Sequence, residues 1–178
     1  MAEPVHSMPW RYWALFAGFV LLTLFWRLLP LSSGASLPGP DLVLCVVLAW
    51  VLRRPDYMPA LLVAGAVLAE DLLLMRPPGL WACLVMLAAE FLRGRQPLMR
   101  ELPFAMEWGF VAVVMGTIWL AERLVLGILL VPMPGLGPSL AQLATTLLAY
   151  PLVVMVSHWL LGLRKPATGE VDALGRRL

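Results

Sequence analysis

Seven ionisable residues lie within or at the edges of long apolar runs: Arg27, Asp41, Glu70, Asp71, Arg76, Glu122 and Arg123. In a nonpolar solvent such groups are costly, about 2.5–3.5 kcal/mol for one charge at a bilayer centre on insertion scales. They pair with one another, reach toward an interface, or line a hydrated pocket. Their positions along the runs place them in one layer toward the outer face of a membrane. Two arrangements follow: an ion-paired structural core, or a polar pocket open to that face. Asp41 follows Pro40 at the expected start of a helix, where a carboxylate accepts from free backbone N–H groups and complements the helix dipole. Glu70 and Asp71 are adjacent, so on a helix they point about 100° apart and do not readily share a partner. Asp71 can meet Arg27 across helices, and one of Glu122 and Arg123 is expected to face inward. Glu90 and Glu107 fall toward the opposite face, near the basic stretch Arg93–Arg100. Arg93 stands three residues after Glu90, the spacing of a same-face pair.

Catalytic chemistry finds no constellation. His6 is near the N-terminus, and Ser157-His158 are neighbours whose side chains diverge on a helix, a poor nucleophile and base. No GxSxG, Walker A, HExxH or CxxC pattern occurs. Neither catalytic, cofactor-binding nor metal-binding residues are expected. Cys45 and Cys83 each lie in an apolar run, at similar depth, and are expected to behave as small hydrophobes rather than as a disulfide.

The elements that must position these charges are membrane helices. The 178 residues are 61% hydrophobic and only 13% charged, with a mean hydropathy of +0.86. A soluble domain is about 45–50% apolar and about 25% charged. A net charge of +2 gives no argument for a nucleic-acid partner. Six apolar segments are expected, over 12–31, 40–52, 58–75, 79–92, 104–130 and 139–163, with a short polar tail over 165–178. A spanning helix needs about 20 residues, so the second and fourth are short. Both are read as spanning, because only then do the loop charges alternate. Ser33-Gly34-Ala35 faintly resembles a signal cleavage site, but the first segment carries Arg27 and is too long for a signal h-region, so it reads as an uncleaved anchor.

Apart from Arg27, Arg76 and Arg123, the 13 basic residues belong to the N-terminal tail, the second-to-third and fourth-to-fifth loops, and the C-terminal tail. Basic loops stay cytoplasmic, so both termini are expected there. Trp10, Trp13, Trp50, Trp108 and Trp159 are expected at that interface, and Trp26 and Trp81 at the outer one. Ala14–Gly18, Ala60–Ala64 and Ala112–Gly116 have the small-xxx-small spacing of close helix contacts. The outer loops are short and rich in Pro and Gly, as in Pro132-Met133-Pro134-Gly135.

One stretch resembles a known family. Pro40-Asp41-Leu42, then Ala49-Trp50-Val51-Leu52-Arg53-Arg54-Pro55, then Gly65, Glu70-Asp71-Leu72-Leu73 and Pro78-Gly79-Leu80, is similar to the rod shape-determining protein MreD family. The resemblance covers most of the chain by topology, and its specific residues cluster in Pro40–Leu80. It implies a non-catalytic scaffold or regulator in the bacterial inner membrane, acting in lateral peptidoglycan synthesis. The implied partners are an MreC-like bitopic protein, a RodA-type glycosyltransferase with its class B penicillin-binding transpeptidase, the MreB filament, and membrane lipids. The implied fold is an all-α bundle similar to the substrate-binding subunits of energy-coupling-factor transporters. Its alternative is a small-molecule-binding transporter subunit with a pocket on the outer side. An intramembrane enzyme is the remaining reading, for which no nucleophile and base can be named. The polar outer layer and the short fourth segment depart from the family pattern.

Overall fold

The computed structural model describes residues 9–29, 39–100 and 102–161. Every regular element among them is helical: α1 Pro9–Leu28, α2 Leu42–Arg53, a 3-10 turn Pro55–Tyr57, α3 Ala60–Leu73, α4 Leu80–Arg100, α5 Phe104–Ile128 and α6 Leu136–Leu161. The polar tail, Arg164 and most of the loop before Gly39 lie outside the described residues.

The centre of the bundle is α2, which packs against α1, α4 and α6. Eleven consecutive residues of it, Val43 to Arg53, are buried. A helix that is apolar on every side must be enclosed on every side. This enclosure also explains its length. Twelve residues rise about 18 Å, well short of a hydrocarbon core of about 30 Å. Surrounded by protein, α2 does not have to match the bilayer.

The outward faces are apolar too. Leu21, Leu22, Phe25 and Trp26 on α1, Val113, Leu120 and Leu124 on α5, and Leu148, Leu152 and Met155 on α6 are exposed. Continuous greasy surface of this extent needs a nonpolar solvent. Trp10–Leu28, Phe104–Ile128 and Leu136–Trp159 are long and apolar enough to cross a membrane. The molecule is an all-α membrane-protein bundle in which three helices meet the spanning requirement by themselves.

The fourth helix differs from expectation. It runs to Arg100, not Leu92, and it contains Pro97. Leu92, Gln96 and Met99 are all buried. Their spacing continues one helical face past the basic stretch, so packing carries the helix through residues whose charge suggested a loop. Two small-residue pairs also behave differently. Ala14 and Gly18 face outward, and a Cβ added at Gly18 or Gly116 would meet nothing within 4 Å. Neither glycine is needed for close approach within this chain. Gly18→Ala and Gly116→Ala are expected to be neutral or to stabilise by up to about 1 kcal/mol through helix propensity, read as the midpoint of thermal unfolding in detergent.

The backbone supports the hairpins at their tips. Helices α3 and α5 each end in a left-handed residue, Met75 (φ 54°) and Leu130 (φ 54°). The amide of Arg76 returns to the Asp71 carbonyl at 3.0 Å, and that of Val131 to Leu126 at 3.0 Å. Glycine is the usual occupant of such a position, since a side chain there costs about 1–2 kcal/mol. Met75 is 92% exposed and its side chain contributes little packing. Met75→Gly is therefore expected to stabilise the protein by about 1 kcal/mol, seen as a higher unfolding midpoint.

Candidate functional site

Antiparallel succession brings the helix ends together in two groups. At one end, Tyr12 stacks on Tyr57 with ring centroids 4.1 Å apart. Arg93 on α4 donates to the Met58 carbonyl at 2.6 Å and pairs with Glu90. This end also carries Arg11, Arg54 and Arg95, and is called the basic end here. At the opposite end, the last turns of α1 and α3 meet the first turns of α2 and α4.

Of the seven charged residues, the structure joins Arg27, Asp41 and Glu70 at that opposite end. Arg27 forms its ion pair with Glu70, lies 3.8 Å from Asp41, and donates to the Pro40 carbonyl at 3.3 Å. Asp41 caps α2 as its position suggests: its side chain accepts from Leu44 N–H at 3.0 Å. Its own amide donates to Thr146 Oγ1 at 2.9 Å, tying α2 to α6.

Asp71 does not pair with Arg27. It turns away from Glu70 and accepts from the amides of Gly79 and Ala82, each at 3.1 Å. The reason is the roughly 100° between adjacent helical residues. Glu70 faces α1 and α2, while Asp71 faces the free N–H groups that open α4, a site that favours a carboxylate. Gly79 sits at φ +86°, the backbone turn that brings those amides to Asp71. Gly79→Val is expected to destabilise by about 1–2 kcal/mol, measured by thermal unfolding.

The remaining three, Arg76, Glu122 and Arg123, line a cavity together with Asp41. Its volume is about 270 Å³. Helices α2, α4, α5 and α6 wall it, and the connecting segments Met75–Pro77 and Pro132–Pro134 rim it. Leu44, Met115, Leu126 and Leu143 supply its apolar surface, and Ser139, Gln142 and Thr146 add neutral polar groups. Arg123 is held by the Pro134 carbonyl at 3.1 Å and Ser139 Oγ at 2.9 Å, and stacks on Trp119 at 5.6 Å. Both Glu122 and Arg123 are half-buried, so the expectation that one of them turns inward becomes one in which both reach the cavity.

A second polar centre lies where α2, α5 and α6 meet. Arg53 Nη1 donates to Glu107 Oε1 at 2.7 Å, and the Tyr150 hydroxyl donates to the same oxygen at 3.1 Å. All three residues are buried. Glu107 therefore belongs with Arg53 and Tyr150, apart from the Glu90–Arg93 pair. In the sequence Arg53 reads as a loop charge, and nothing in the apolar run around Tyr150 marks it. The available signal was Glu107 itself, a carboxylate in the first turn of an apolar helix that needs a cation at its own depth.

Two tryptophans also move from interface to interior. Trp50 is buried, and its indole donates to Ser157 Oγ at 3.0 Å. Trp81 is buried beneath Arg76, 5.7 Å from its guanidinium. Trp10, Trp13, Trp26 and Trp159 are exposed. Cys45 is buried, with Sγ 3.4 Å from the Thr146 carbonyl, whereas Cys83 is exposed, and both thiols are free. Ser157 is thus committed to Trp50 rather than to His158.

No family model, no curated protein and no solved structure matches this chain.

Proposed function

We propose that the chain is a non-catalytic membrane subunit of the machinery that inserts lateral peptidoglycan in rod-shaped bacteria. In this reading it sits in the inner membrane with the basic end and both termini in the cytoplasm, since basic residues are retained there. One observation carries the proposal. The residues that resemble the MreD family occupy the positions on which the bundle depends: Asp41 caps the buried central helix, Arg53 anchors its far end to Glu107, and Asp71 with Gly79 joins α3 to α4. A motif made of clasps suits a protein that presents a rigid helical surface to other membrane proteins. The proposed neighbours are an MreC-like bitopic protein first, then a RodA-type glycosyltransferase with its class B transpeptidase, and the MreB filament.

Depletion is expected to round the cells, and the tagged chain is expected to copurify with the bitopic protein. Cells that keep rod shape and lateral wall insertion after depletion would end this reading. The cavity favours a second one, a small-molecule-binding subunit of a transporter. Copurification with an ATP-hydrolysing module, in place of the bitopic protein, distinguishes it.

A further inference from the structure

Four charged residues line the cavity, and they differ in how they are used. Asp41 is occupied by the α2 cap and by Arg27. Arg123 is occupied by Pro134 and Ser139. Arg76 and Glu122 are not occupied in this way. Among the described residues neither makes a hydrogen bond or an ion pair through its side chain, although both are half-buried in the wall of one cavity. Nor do they bond to each other. Arg76 leans on the Trp81 ring from the α3–α4 connection, and Glu122 projects from α5.

Two opposite charges that face one cavity from different elements, with no direct hydrogen bond or ion pair through either side chain, leave their polar atoms open to a ligand, and partly desolvated charge is stabilised when a partner reaches it. The cavity is far larger than the roughly 10–15 Å³ that one water requires and lies near the lower bound of small-molecule clefts. We infer that it binds a small zwitterion, with a phosphate or carboxylate on the Arg76 guanidinium and an ammonium on the Glu122 carboxylate. The guanidinium offers a fork of donors that matches either anionic group. A lone anion would meet the guanidinium but face the carboxylates of Glu122 and Asp41, and a lone cation would face both arginines. Leu44, Met115 and Leu126 supply an apolar floor for a short carbon linker between the charges. The inference rests on the cavity alone and holds whether the chain is a scaffold or a transport subunit.

Two sources carry this chemistry: the ethanolamine headgroup of a phospholipid, and a soluble zwitterion. The test uses the full chain, purified in detergent and depleted of lipid. Glycerophosphoethanolamine, glycerol 3-phosphate and ethanolamine are titrated separately by calorimetry. Native mass spectrometry then compares retention of phosphatidylethanolamine and phosphatidylglycerol from nanodiscs. The zwitterion is expected to bind more tightly than either single-charge probe. Binding of the free headgroup identifies a soluble-type site, and selective retention of phosphatidylethanolamine without it identifies a lipid site. Arg76→Gln is expected to weaken zwitterion binding by roughly tenfold to a hundredfold. Glu122→Gln is expected to weaken it similarly while leaving glycerol 3-phosphate binding undiminished or tighter, because the ammonium partner is lost and a carboxylate that opposes the lone anion is removed. Equal binding of all three soluble probes, zwitterion binding indifferent to both substitutions, or no binding of any probe or lipid overturns the inference. The comparison of probes on the unaltered protein needs no variant, so a folding defect in either mutant does not remove the test.

Discussion

Glu107→Ala is expected to destabilise the bundle by about 3–5 kcal/mol, the cost of stranding one member of a buried ion pair. The carboxylate is fully buried and holds Arg53 on α2 and Tyr150 on α6 through one oxygen. Its removal leaves the Arg53 guanidinium, itself 5% exposed, without its counter-ion in the interior. The double substitution Arg53→Met with Glu107→Leu is expected to regain most of the loss, because two apolar side chains of similar volume avoid desolvating either charge. Tyr150→Phe removes only a neutral donor to a charged acceptor and is expected to cost about 1.5–3 kcal/mol. Thermal unfolding in detergent of Arg53→Met, Glu107→Leu and the double variant closes a cycle that isolates the pair. If the double variant is as unstable as Glu107→Ala, stranded charge is not the cause, and loss of packing at the α2–α5–α6 junction takes its place.

Asp71→Ala is the second large effect, expected at about 2–4 kcal/mol, since two hydrogen bonds to a charged acceptor are lost together in a buried site. The loss falls on one event, the docking of the first turn of α4 onto the end of α3. Asp71→Asn keeps an acceptor oxygen but not the charge that complements the α4 dipole, and an intermediate effect is expected. Arg27→Ala acts differently on the same end of the bundle. It strands Glu70, which is 1% exposed, and Arg27→Met with Glu70→Gln is expected to relieve that penalty while doing nothing for Asp71→Ala. Membrane abundance and unfolding midpoints separate the two mechanisms. Unchanged values in both Asp71→Ala and Arg27→Ala would show that this end is not what holds the helices together.

Some placements were legible because they are local. Asp41 as a cap follows from its place after Pro40 at a helix start, and Glu90 meets Arg93 because three residues separate them on one helix. Trp50 was not legible as an internal residue. A tryptophan beside basic residues has the composition of an interfacial anchor, and only the enclosure of α2 by its neighbours turns it inward to Ser157. The extent of α4 failed for a related reason. Arg93, Arg95 and Pro97 all argue for a loop, yet Leu92, Gln96 and Met99 fill the interior along one helical face.

By itself the sequence determined that this chain lives among helices in a bilayer, and that a set of charges must be reconciled with that solvent. Composition, run length and charge position suffice for that, since the cost of charge in hydrocarbon does not depend on the fold. Only the tertiary structure decided how the seven residues divide. Arg27, Asp41 and Glu70 close an ion cluster, Asp71 becomes a helix clasp, and Arg76, Glu122 and Arg123 border a cavity. The physical reason is range. Hydropathy and capping act within one helix, whereas the pairing of a buried charge depends on which neighbouring helix presents a partner at the same depth and angle.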